Sequence, residues 1–490
     1  MRRINNMKYI LQTDNETIEI PIIRSKRKTL GLEVKYDSTV NARVPMRAPR
    51  EIIERFIREH EAWIIRKRQE WSLSGNNRDD MSGLPPIETK EGKALMLNWI
   101  MYPLSDLGEI RKRQEAIVWD ALPELLLNEE ELDFIEYYLA YRDQIREAHI
   151  LLSCATVIDR LVRYDSTRYV ICRGVKLVVH LLHCLKEWAT ELPQGAPQLM
   201  KESAAMIDNI LHGSELEEVL EQTSDEEKRL SNFVIDKFDY LFRCTRLLSL
   251  KELLSVIYLL DVCRTAHRVA KEKNFCCMPI MVPTMDFSVE GVVHPFVKDA
   301  QPNSWQMSRG NICIFTGSNM AGKSTTLKAL TLAVWLAHCG LPVPVKSMIC
   351  PLYEGIYTSI NLPDSLRDGR SHFMAEVLRI KEVMQKAVTG KRCLVVLDEM
   401  FRGTNAKDAF EASVAVNELL KSFSHCHFLI STHILEYAKA FEKDSSCCFY
   451  YMEAEIIDDA FVCPHRLLSG ISEARVGYWV VKKILSDGLM

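Results

Sequence analysis

The chain has 490 residues, of which 47% are hydrophobic and 26% are charged, and its formal net charge is −4. That length exceeds one ordinary hydrophobic core, so we expect roughly two to four domains. No apolar run approaches the ~20 residues of a membrane-spanning helix, which argues against a membrane protein. The N-terminus lacks an apolar signal core and the fifteen cysteines include no C-x-x-C pair. The sequence therefore predicts a cytoplasmic protein with reduced thiols, no zinc knuckle and no disulfide framework.

Basic charge is concentrated at the start of the chain. Residues 1–71 hold sixteen Lys/Arg and ten Asp/Glu, which leaves a balance of −10 for the remainder. Three alternating stretches, 17–23, 29–35 and 39–44, predict a small antiparallel sheet, and residues 50–71 have the apolar spacing of a helix. Residues 1–71 are therefore predicted to be a small α+β segment. A basic run within it is either a solvated charged face or a set of phosphate contacts. It consists of Arg24, Lys26, Arg27 and Lys28.

This segment resembles the N-terminal part of the YgjP-like metallopeptidases in its basic run, in Val44-Pro45 and in Trp63-Ile64. The resemblance ends near residue 71, before the His-rich helical motif that carries the zinc site of that family. No H-E-x-x-H follows, and His180 and His183 form an isolated H-x-x-H in an apolar helix, where core or helix-face side chains are favoured over metal ligands. The resemblance therefore implies a non-catalytic adaptor, and peptidase activity is not expected.

Composition divides the rest of the chain into three regions. Residues 72–89 are rich in Ser, Asn, Asp, Gly and Pro, which predicts a linker. Residues 90–278 have helical periodicity nearly throughout, with a break at Tyr102-Pro103. The start of this region, 92–120, resembles the helical core of MutS-type mismatch-repair proteins. The resemblance implies an all-α core and lever domain, followed over 279–490 by an ATPase domain.

A phosphate-binding loop is predicted at residues 317–324, which match G-x-x-x-x-G-K-[ST]. The loop lies between a buried strand, 311–315, and an apolar helix, 326–339, as the motif requires. Backbone N–H groups and the helix N-terminus would face a phosphate chain, Lys323 would reach the outer phosphates, and the Ser324 hydroxyl would hold Mg²⁺. The residues predicted to bind nucleotide are Gly317, Ser318, Asn319, Met320, Ala321, Gly322, Lys323, Ser324 and Thr325.

Two carboxylates follow the apolar strand 393–397. Asp398 is placed to organise Mg²⁺ together with Ser324, and Glu399 to polarise the attacking water. The pair is informative downstream of a phosphate loop, because phosphoryl transfer needs a cradle, a metal and a water-orienting group together. His433 follows a further apolar stretch. Considered alone it would be structural, but its order after the other motifs favours a catalytic role near the γ-phosphate.

The order of these motifs over residues 290–480 resembles the ATPase domain of MutS proteins, which is an α/β P-loop domain of the ABC type. His294-Pro295 and Pro302-Asn303 match the segment that borders the nucleotide base in that family. The aromatic residue that stacks on adenine there has no counterpart in register in this sequence. Phe296 and Trp305 are the candidates for that position.

A second motif lies between the phosphate loop and the carboxylates. Ser371 begins the hexapeptide Ser-His-Phe-Met-Ala-Glu, which resembles the S-[ST]-F-M-x-E signature of this family with His in place of Thr. In that class the signature acts across a subunit interface, so Ser371 is expected to contact the γ-phosphate in trans, and a complete site implies a homodimer. Asp364 aligns with an Asp that precedes the signature. Residues 402–405 resemble the loop that runs along the dimer partner, and residues 468–478 the C-terminal helix-turn-helix dimerisation segment.

Together these resemblances imply a shortened MutS-family ATPase, in which hydrolysis of ATP to ADP and phosphate drives a dimeric clamp on DNA. ATP and Mg²⁺ are the expected cofactors, and DNA, a second copy of the chain and other repair proteins are the expected partners. The implied role is in mismatch repair or in recognition of altered DNA structures. No mismatch-reading domain with its Phe-x-Glu wedge is recognised, so a strong preference for a mismatch is not expected. The alternative is an ABC-type switch that acts on a protein partner without DNA contact, which the balance of −10 outside residues 1–71 favours.

Overall fold

The computed structural model divides into two compact units, Met1–Pro85 and Pro86–Met490. Among its described helices, none combines the length and the apolar character that a bilayer crossing requires. The described residues are 7–12, 17–25, 31–34, 40–45, 50–59, 87, 89–123, 127–141, 166–224, 230–276, 278–307, 309–318, 321–360, 372–401, 404–457 and 460–472.

The described part of the first unit combines four strands and a helix, whose bounds are β1 (Met7–Gln12), β2 (Thr17–Ser25), β3 (Gly31–Val34), β4 (Val40–Pro45) and α1 (Arg50–Glu59). The strand order is β1-β2-β4-β3. The sheet and the helix share one hydrophobic core, which includes the fully buried residues Ile20, Ala42, Ile53 and Ile57. Of the helix predicted over 50–71, the part beyond residue 59 lies outside the described residues.

The predicted antiparallel sheet was wrong at its centre. Strand β4 inserts between β2 and β3, and it runs parallel to β2 but antiparallel to β3. Alternation of apolar residues specifies which face of a strand is buried and does not specify the neighbouring strand. Within the basic run, Arg24 lies in β2 and is half-buried, whereas residues 26–28 lie outside the described residues.

The second unit begins with helices. Among the residues that the structure describes here, the helices are α2 (Lys90–Met101), α3 (Leu107–Val118), α4 (Glu129–Ala140), α5 (Ser166–Glu191), α6 (Gln198–Leu211), α7 (Glu215–Gln222), α8 (Asn232–Tyr240) and α9 (Leu247–Lys273). A π-helical turn, Leu241–Thr245, connects α8 and α9. The break predicted at Tyr102-Pro103 is confirmed, because α2 ends at Met101 and Asp106 caps the next helix by accepting from the Glu109 N–H at 2.8 Å.

Thr89, the last residue of the predicted linker, belongs to the helical packing. It caps α2 by accepting the Gly92 N–H, and its own N–H and hydroxyl donate to Asp261 Oδ2 at 2.8 and 2.6 Å. The two histidines of the H-x-x-H sequence lie on α5. His183 Nε2 is 2.9 Å from the Thr223 hydroxyl, and the His180 ring is exposed beside Cys184.

Strands and helices alternate in the remainder of the second unit. The strands are β5 (Ile280–Val282), β6 (Ser288–Val292), β7 (Asn303–Gln306), β8 (Ile312–Thr316), β9 (Ser347–Pro351), β10 (Gly355–Ser359), β11 (Cys393–Asp398), β12 (His427–Ser431), β13 (Cys447–Met452), β14 (Glu455–Ile457), β15 (Ala460–Val462) and β16 (Leu467–Ser469). The helices are α10 (Lys323–His338), α11 (His372–Val388), α12 (Ala406–Leu420) and α13 (Leu435–Ala440).

The main sheet, as far as the chain is described, has six strands in the order β10-β11-β12-β8-β13-β16. The first five are parallel and β16 is antiparallel to β13. Every residue of β8, β11 and β12 is buried, as their continuous apolar runs predict for central parallel strands. A smaller sheet, β5-β9-β6-β7, adjoins the same core. The strand order brings the carboxyl ends of β8, β11 and β12 to one edge, where ligands of such sheets bind.

The predicted helix-turn-helix segment begins differently from the expectation. Leu468 and Ser469 belong to strand β16 and pair with β13, so the start at residue 468 was wrong. Residues 468 and 469 are in a strand because they hydrogen-bond to β13, and a pairing between such distant segments cannot be recognised in the sequence. Residues 473–490 lie outside the described part of the chain.

Helix α10 connects the main sheet to the helical region. Its Trp335 Nε1 donates to Ile100 O at 2.8 Å, and the Leu104 N–H donates to His338 O at 2.8 Å. Arg113 also donates to Cys339 O, at 2.9 Å. The boundary predicted near residue 278 therefore falls within one compact unit, and its division into two domains stays a prediction.

Candidate functional site

Two glycines in the loop after β8 lie close to atoms of distant residues. Gly317 has φ 136° and Gly322 has φ 105°, a region that L side chains rarely adopt. A Cβ at Gly317 would lie 3.3 Å from Met452 O, and one at Gly322 would lie 3.3 Å from His465 Nδ1. The backbone conformation therefore favours glycine at both glycine positions of the G-x-x-x-x-G-K-[ST] motif.

Helix α10 begins immediately after this loop, at Lys323. Ser324 and Thr325 are in its first turn, where backbone N–H groups have no partners within the helix and carry a partial positive charge. The Ser318 hydroxyl is buried, and none of the described residues gives it a hydrogen-bond partner. These features fit an anion at the loop. Asn319 and Met320 lie outside the described residues.

Lys323 is 3% exposed and is oriented by the loop itself. Its ammonium donates to Gly317 O at 2.7 Å and to Ser318 O at 3.0 Å. Lys323 Nζ also lies 3.7 Å from Glu399 Oε1. A buried ammonium is tolerated when it is paired and hydrogen-bonded, and this one meets both conditions.

Glu399 follows β11 and has an unusual backbone. Its φ is 51°, and its N–H donates to Ser431 O at 3.1 Å and to the Ser431 hydroxyl at 3.2 Å. The side chain is 10% exposed, and Oε2 lies 3.6 Å from Nδ1 of His433, which is 52% exposed. The carboxylate therefore lies between Lys323 and His433, so three residues predicted from separate motifs come together.

Asp398, the last residue of β11, is 6% exposed and accepts a hydrogen bond from the Ser431 hydroxyl. Asp398 is paired with Ser431 in the sheet, and Ser431 with Phe315 of β8. The Asp398 carboxylate thus lies at the same edge as the start of the loop. A carboxylate and the Ser324 hydroxyl are oxygen donors of the kind that Mg²⁺ prefers, so these residues fit that metal.

Ser431 was not singled out from the sequence, although it contacts both carboxylate residues. Its hydroxyl donates to the Asp398 side chain and accepts the Glu399 N–H. The sequence signal is weak, since Ser431 is one of several small polar residues at a strand end. Its role depends on β12 being the neighbour of β11.

A second support that sequence analysis missed comes from residues 463–467. His465 Nδ1 lies 3.0 Å from Ala321 O, in the loop. Asn303 donates to His465 O at 3.0 Å and accepts the Leu467 N–H at 2.7 Å. The Pro302-Asn303 motif was recognised, but its structural partner is 162 residues away in sequence.

The two aromatic candidates for base stacking have different surroundings. Trp305 is buried, with its ring centroid 4.6 Å from that of Phe287, and its indole N–H donates to Cys313. The prediction that Trp305 could stack on the base is wrong, because its side chain is packed in the core and no ligand can reach it. Phe296 is exposed, 6.0 Å from the His294 ring. Burial and then the Lys328 charge lower the pKa of His294.

The signature region is described from His372 onward; Asp364 and Ser371 lie outside the described residues. Helix α11 contacts the turn after Glu399, since Glu376 Oε2 accepts the Phe401 N–H at 2.7 Å. Residues 402 and 403 of the predicted partner loop are outside the description. Asn405, at its end, caps α12 by accepting the Asp408 N–H at 2.9 Å.

Comparison with known proteins gives a match for the region that contains this site. Residues 313–486 match the family described as MutS domain V. The DNA mismatch repair protein MutS of Granulibacter bethesdensis is 34% identical over 232 residues, which are 46% of this chain and 25% of that protein. The protein of the same name from Aquifex pyrophilus is 33% identical over 192 residues, covering 39% and 22%, and that from Bacillus licheniformis is 30% identical over 252 residues, covering 49% and 28%.

The aligned part of the chain thus spans about a quarter of the length of these curated relatives. The MutS resemblance is confirmed for residues 313–486, which contain the loop, both carboxylates and His433. The metallopeptidase resemblance of residues 1–71 and the roles of individual site residues stay predictions.

Proposed function

We propose that this protein binds and hydrolyses ATP at the edge of the main sheet. The observation that carries the proposal is the placement of Glu399 between Lys323 and His433, at 3.7 and 3.6 Å, beside the glycine loop. Phosphoryl transfer needs little covalent chemistry from the protein, so catalysis rests on positioning and charge. The match to MutS domain V supports the same activity.

The residues of the loop have distinct roles in this proposal. Lys323 and the N–H groups of the first turn of α10 bind the outer phosphates, and the Ser318 hydroxyl donates to a phosphate oxygen. Glu399 orients the attacking water, and His433 lies beside the γ-phosphate through its contact with Glu399. Ser324 and Asp398 would hold Mg²⁺, which neutralises charge that develops on the phosphate oxygens.

Helix α10 gives the site a route to the helical region. It begins at Lys323 and is about 24 Å long at 1.5 Å per residue. Near its C-terminal end, Trp335 donates a hydrogen bond to Ile100 O in α2, and His338 O accepts one from the Leu104 N–H, which precedes α3. We therefore propose that nucleotide binding shifts this helical region, which acts on DNA in a mismatch-repair-related role, as the names of the relatives suggest.

DNA binding through the basic run makes a salt-dependent prediction. Changing its four residues to Ala should weaken binding to all duplexes alike and flatten the plot of log affinity against log salt by about one unit per lost phosphate contact. Fluorescence anisotropy at several salt concentrations measures this. The changed residues are Arg24, Lys26, Arg27 and Lys28.

A matched control removes the same charge elsewhere, from four exposed lysines around the main sheet, and should leave the salt slope unchanged. An equal slope for parent and basic-run variant would place the DNA contacts outside that run. The control lysines are Lys391, Lys407, Lys439 and Lys443.

The proposed homodimer makes a complementation prediction. Ser371→Arg should lower ATP hydrolysis by about 10²-fold, because the bulky cation replaces a donor to the partner's γ-phosphate, while nucleotide affinity of the single chain is unchanged. Mixing it equally with Lys323→Ala should restore roughly a quarter of the parent rate, since half of the dimers are mixed and each has one intact site of two. Steady-state phosphate release measures both.

Thr389→Arg, just past the end of α11, is the control and should hydrolyse ATP normally. Absence of any recovery in the mixture would indicate that each chain completes its own site.

A second candidate function is an ABC-type switch on a protein partner, supported by the net charge of −10 outside residues 1–71. In that case ATP hydrolysis persists and DNA affinity is negligible at every salt concentration.

A further inference from the structure

Two residues in the turn after β11 have left-handed backbone conformations. Glu399 has φ 51° and Phe401 has φ 63°. Residues with side chains rarely adopt this region, and they remain in it only when surrounding contacts hold them there. Contacts with neighbouring residues therefore hold the turn that carries the Glu399 carboxylate, against the intrinsic backbone preferences of Glu399 and Phe401.

The contacts that hold this turn come from two directions. At one end, the Glu399 N–H donates to Ser431. At the other end, the Phe401 N–H donates to Glu376 Oε2 at 2.7 Å, and the Phe373 ring lies 5.3 Å from the Phe401 ring, which is itself buried. Glu376 and Phe373 both belong to the start of α11. A charged acceptor for a backbone N–H makes a short, strong bond.

We propose that Glu376 is a positioning residue of the ATP site. By accepting the Phe401 N–H, it fixes the turn from residue 399 to 401 and so sets where the Glu399 carboxylate lies between Lys323 and His433. Glu376 does not touch nucleotide and acts through Glu399. This inference rests on the proposed ATPase function. Because α11 begins directly after Ser371, one helix would connect the signature of one site with the water-orienting carboxylate of the other.

The kinetic test uses two variants of Glu376 in the full chain. Glu376→Ala removes the acceptor, and kcat should fall about tenfold or more, because small displacements of a reacting group are costly. Affinity for a non-hydrolysable ATP analogue should stay within about twofold, since Lys323 and the loop are unchanged. Glu376→Gln keeps an oxygen acceptor of the same reach, so kcat should remain within about threefold of the parent.

Glu382→Ala is the matched control, an exposed carboxylate on the same helix, and should behave as the parent. A general loss of folding would reduce analogue affinity together with kcat and would not be rescued by Gln. The proposal is overturned if Glu376→Ala retains the parent kcat, if Gln is as inactive as Ala, or if analogue affinity falls in parallel with kcat.

Amide hydrogen exchange tests the contact without any turnover. Exchange of the Phe401 N–H should be faster by about tenfold or more in Glu376→Ala and close to the parent in Glu376→Gln, because the amide loses its acceptor in the first variant alone. One outcome is that the parent neither binds nor hydrolyses ATP while exchange of the Phe401 N–H still increases in Glu376→Ala alone. That result would refute the ATPase proposal and would support the hydrogen bond between Glu376 and the Phe401 N–H. If the parent is active and exchange is equal in all variants, the role of Glu376 is refuted.

Discussion

Glu399→Gln should lower kcat for ATP hydrolysis by about 10²–10⁴-fold, the usual contribution of a positioned acid-base group. The amide has the same shape as the carboxylate, so the turn and its bonds to Ser431 persist. It cannot accept a proton from water, and it removes the charge that now lies 3.7 Å from Lys323 Nζ. Single-turnover phosphate release measures the chemical step apart from product release.

ATP affinity of Glu399→Gln should be unchanged or higher, because a carboxylate beside the phosphate chain repels it. Glu436→Gln provides the control, since Glu436 is exposed on α13 three residues beyond His433. Its kcat should equal that of the parent. Full turnover in Glu399→Gln would mean that another group orients the water.

Lys323→Ala should weaken ATP binding by about 2–5 kcal/mol, the range for losing one partner of a buried charge pair. Two effects combine. The outer phosphates lose their cation, and the Glu399 carboxylate, which is 10% exposed, loses the ammonium 3.7 Å away and then opposes the phosphate charge. Titration with a fluorescent ATP analogue measures the affinity, and no hydrolysis is expected at ordinary ATP concentrations.

Two further variants separate charge from loop structure. Lys323→Gln keeps a donor toward Gly317 O and Ser318 O but lacks the charge, so it should bind ATP as weakly as Lys323→Ala with a higher unfolding midpoint. Lys328→Ala, exposed on the same helix, should bind normally. Parent-like affinity in both Lys323 variants would remove this loop from the ATP site.

The sequence by itself determined the local parts of the candidate site. A strand, a glycine loop and a helix adjoin one another in the chain, so the motif and its flanks predict β8, the loop and α10. The same holds for β11 with Asp398 at its end, and for β12 before His433. Each depends on residues within about ten positions, where the apolar pattern and the glycine conformation are local properties.

Contacts between distant segments were decided by the tertiary structure. Ser431 contacts Asp398 and Glu399 because β12 is the neighbour of β11, and no pattern in either strand specifies that order. Asn303 and His465 meet across 162 residues to support the loop. Trp305 looked suitable for stacking, but packing against Phe287 places it in the core.

The N-terminal sheet shows the same division. Alternating residues predicted its strands, whereas the insertion of β4 beside β2 made the central pair parallel. A strand's pattern records which face is buried, and its partner is chosen by the free energy of the whole sheet. The sequence therefore determined which chemical groups this protein carries, and the tertiary structure decided which of them lie within reach of one another.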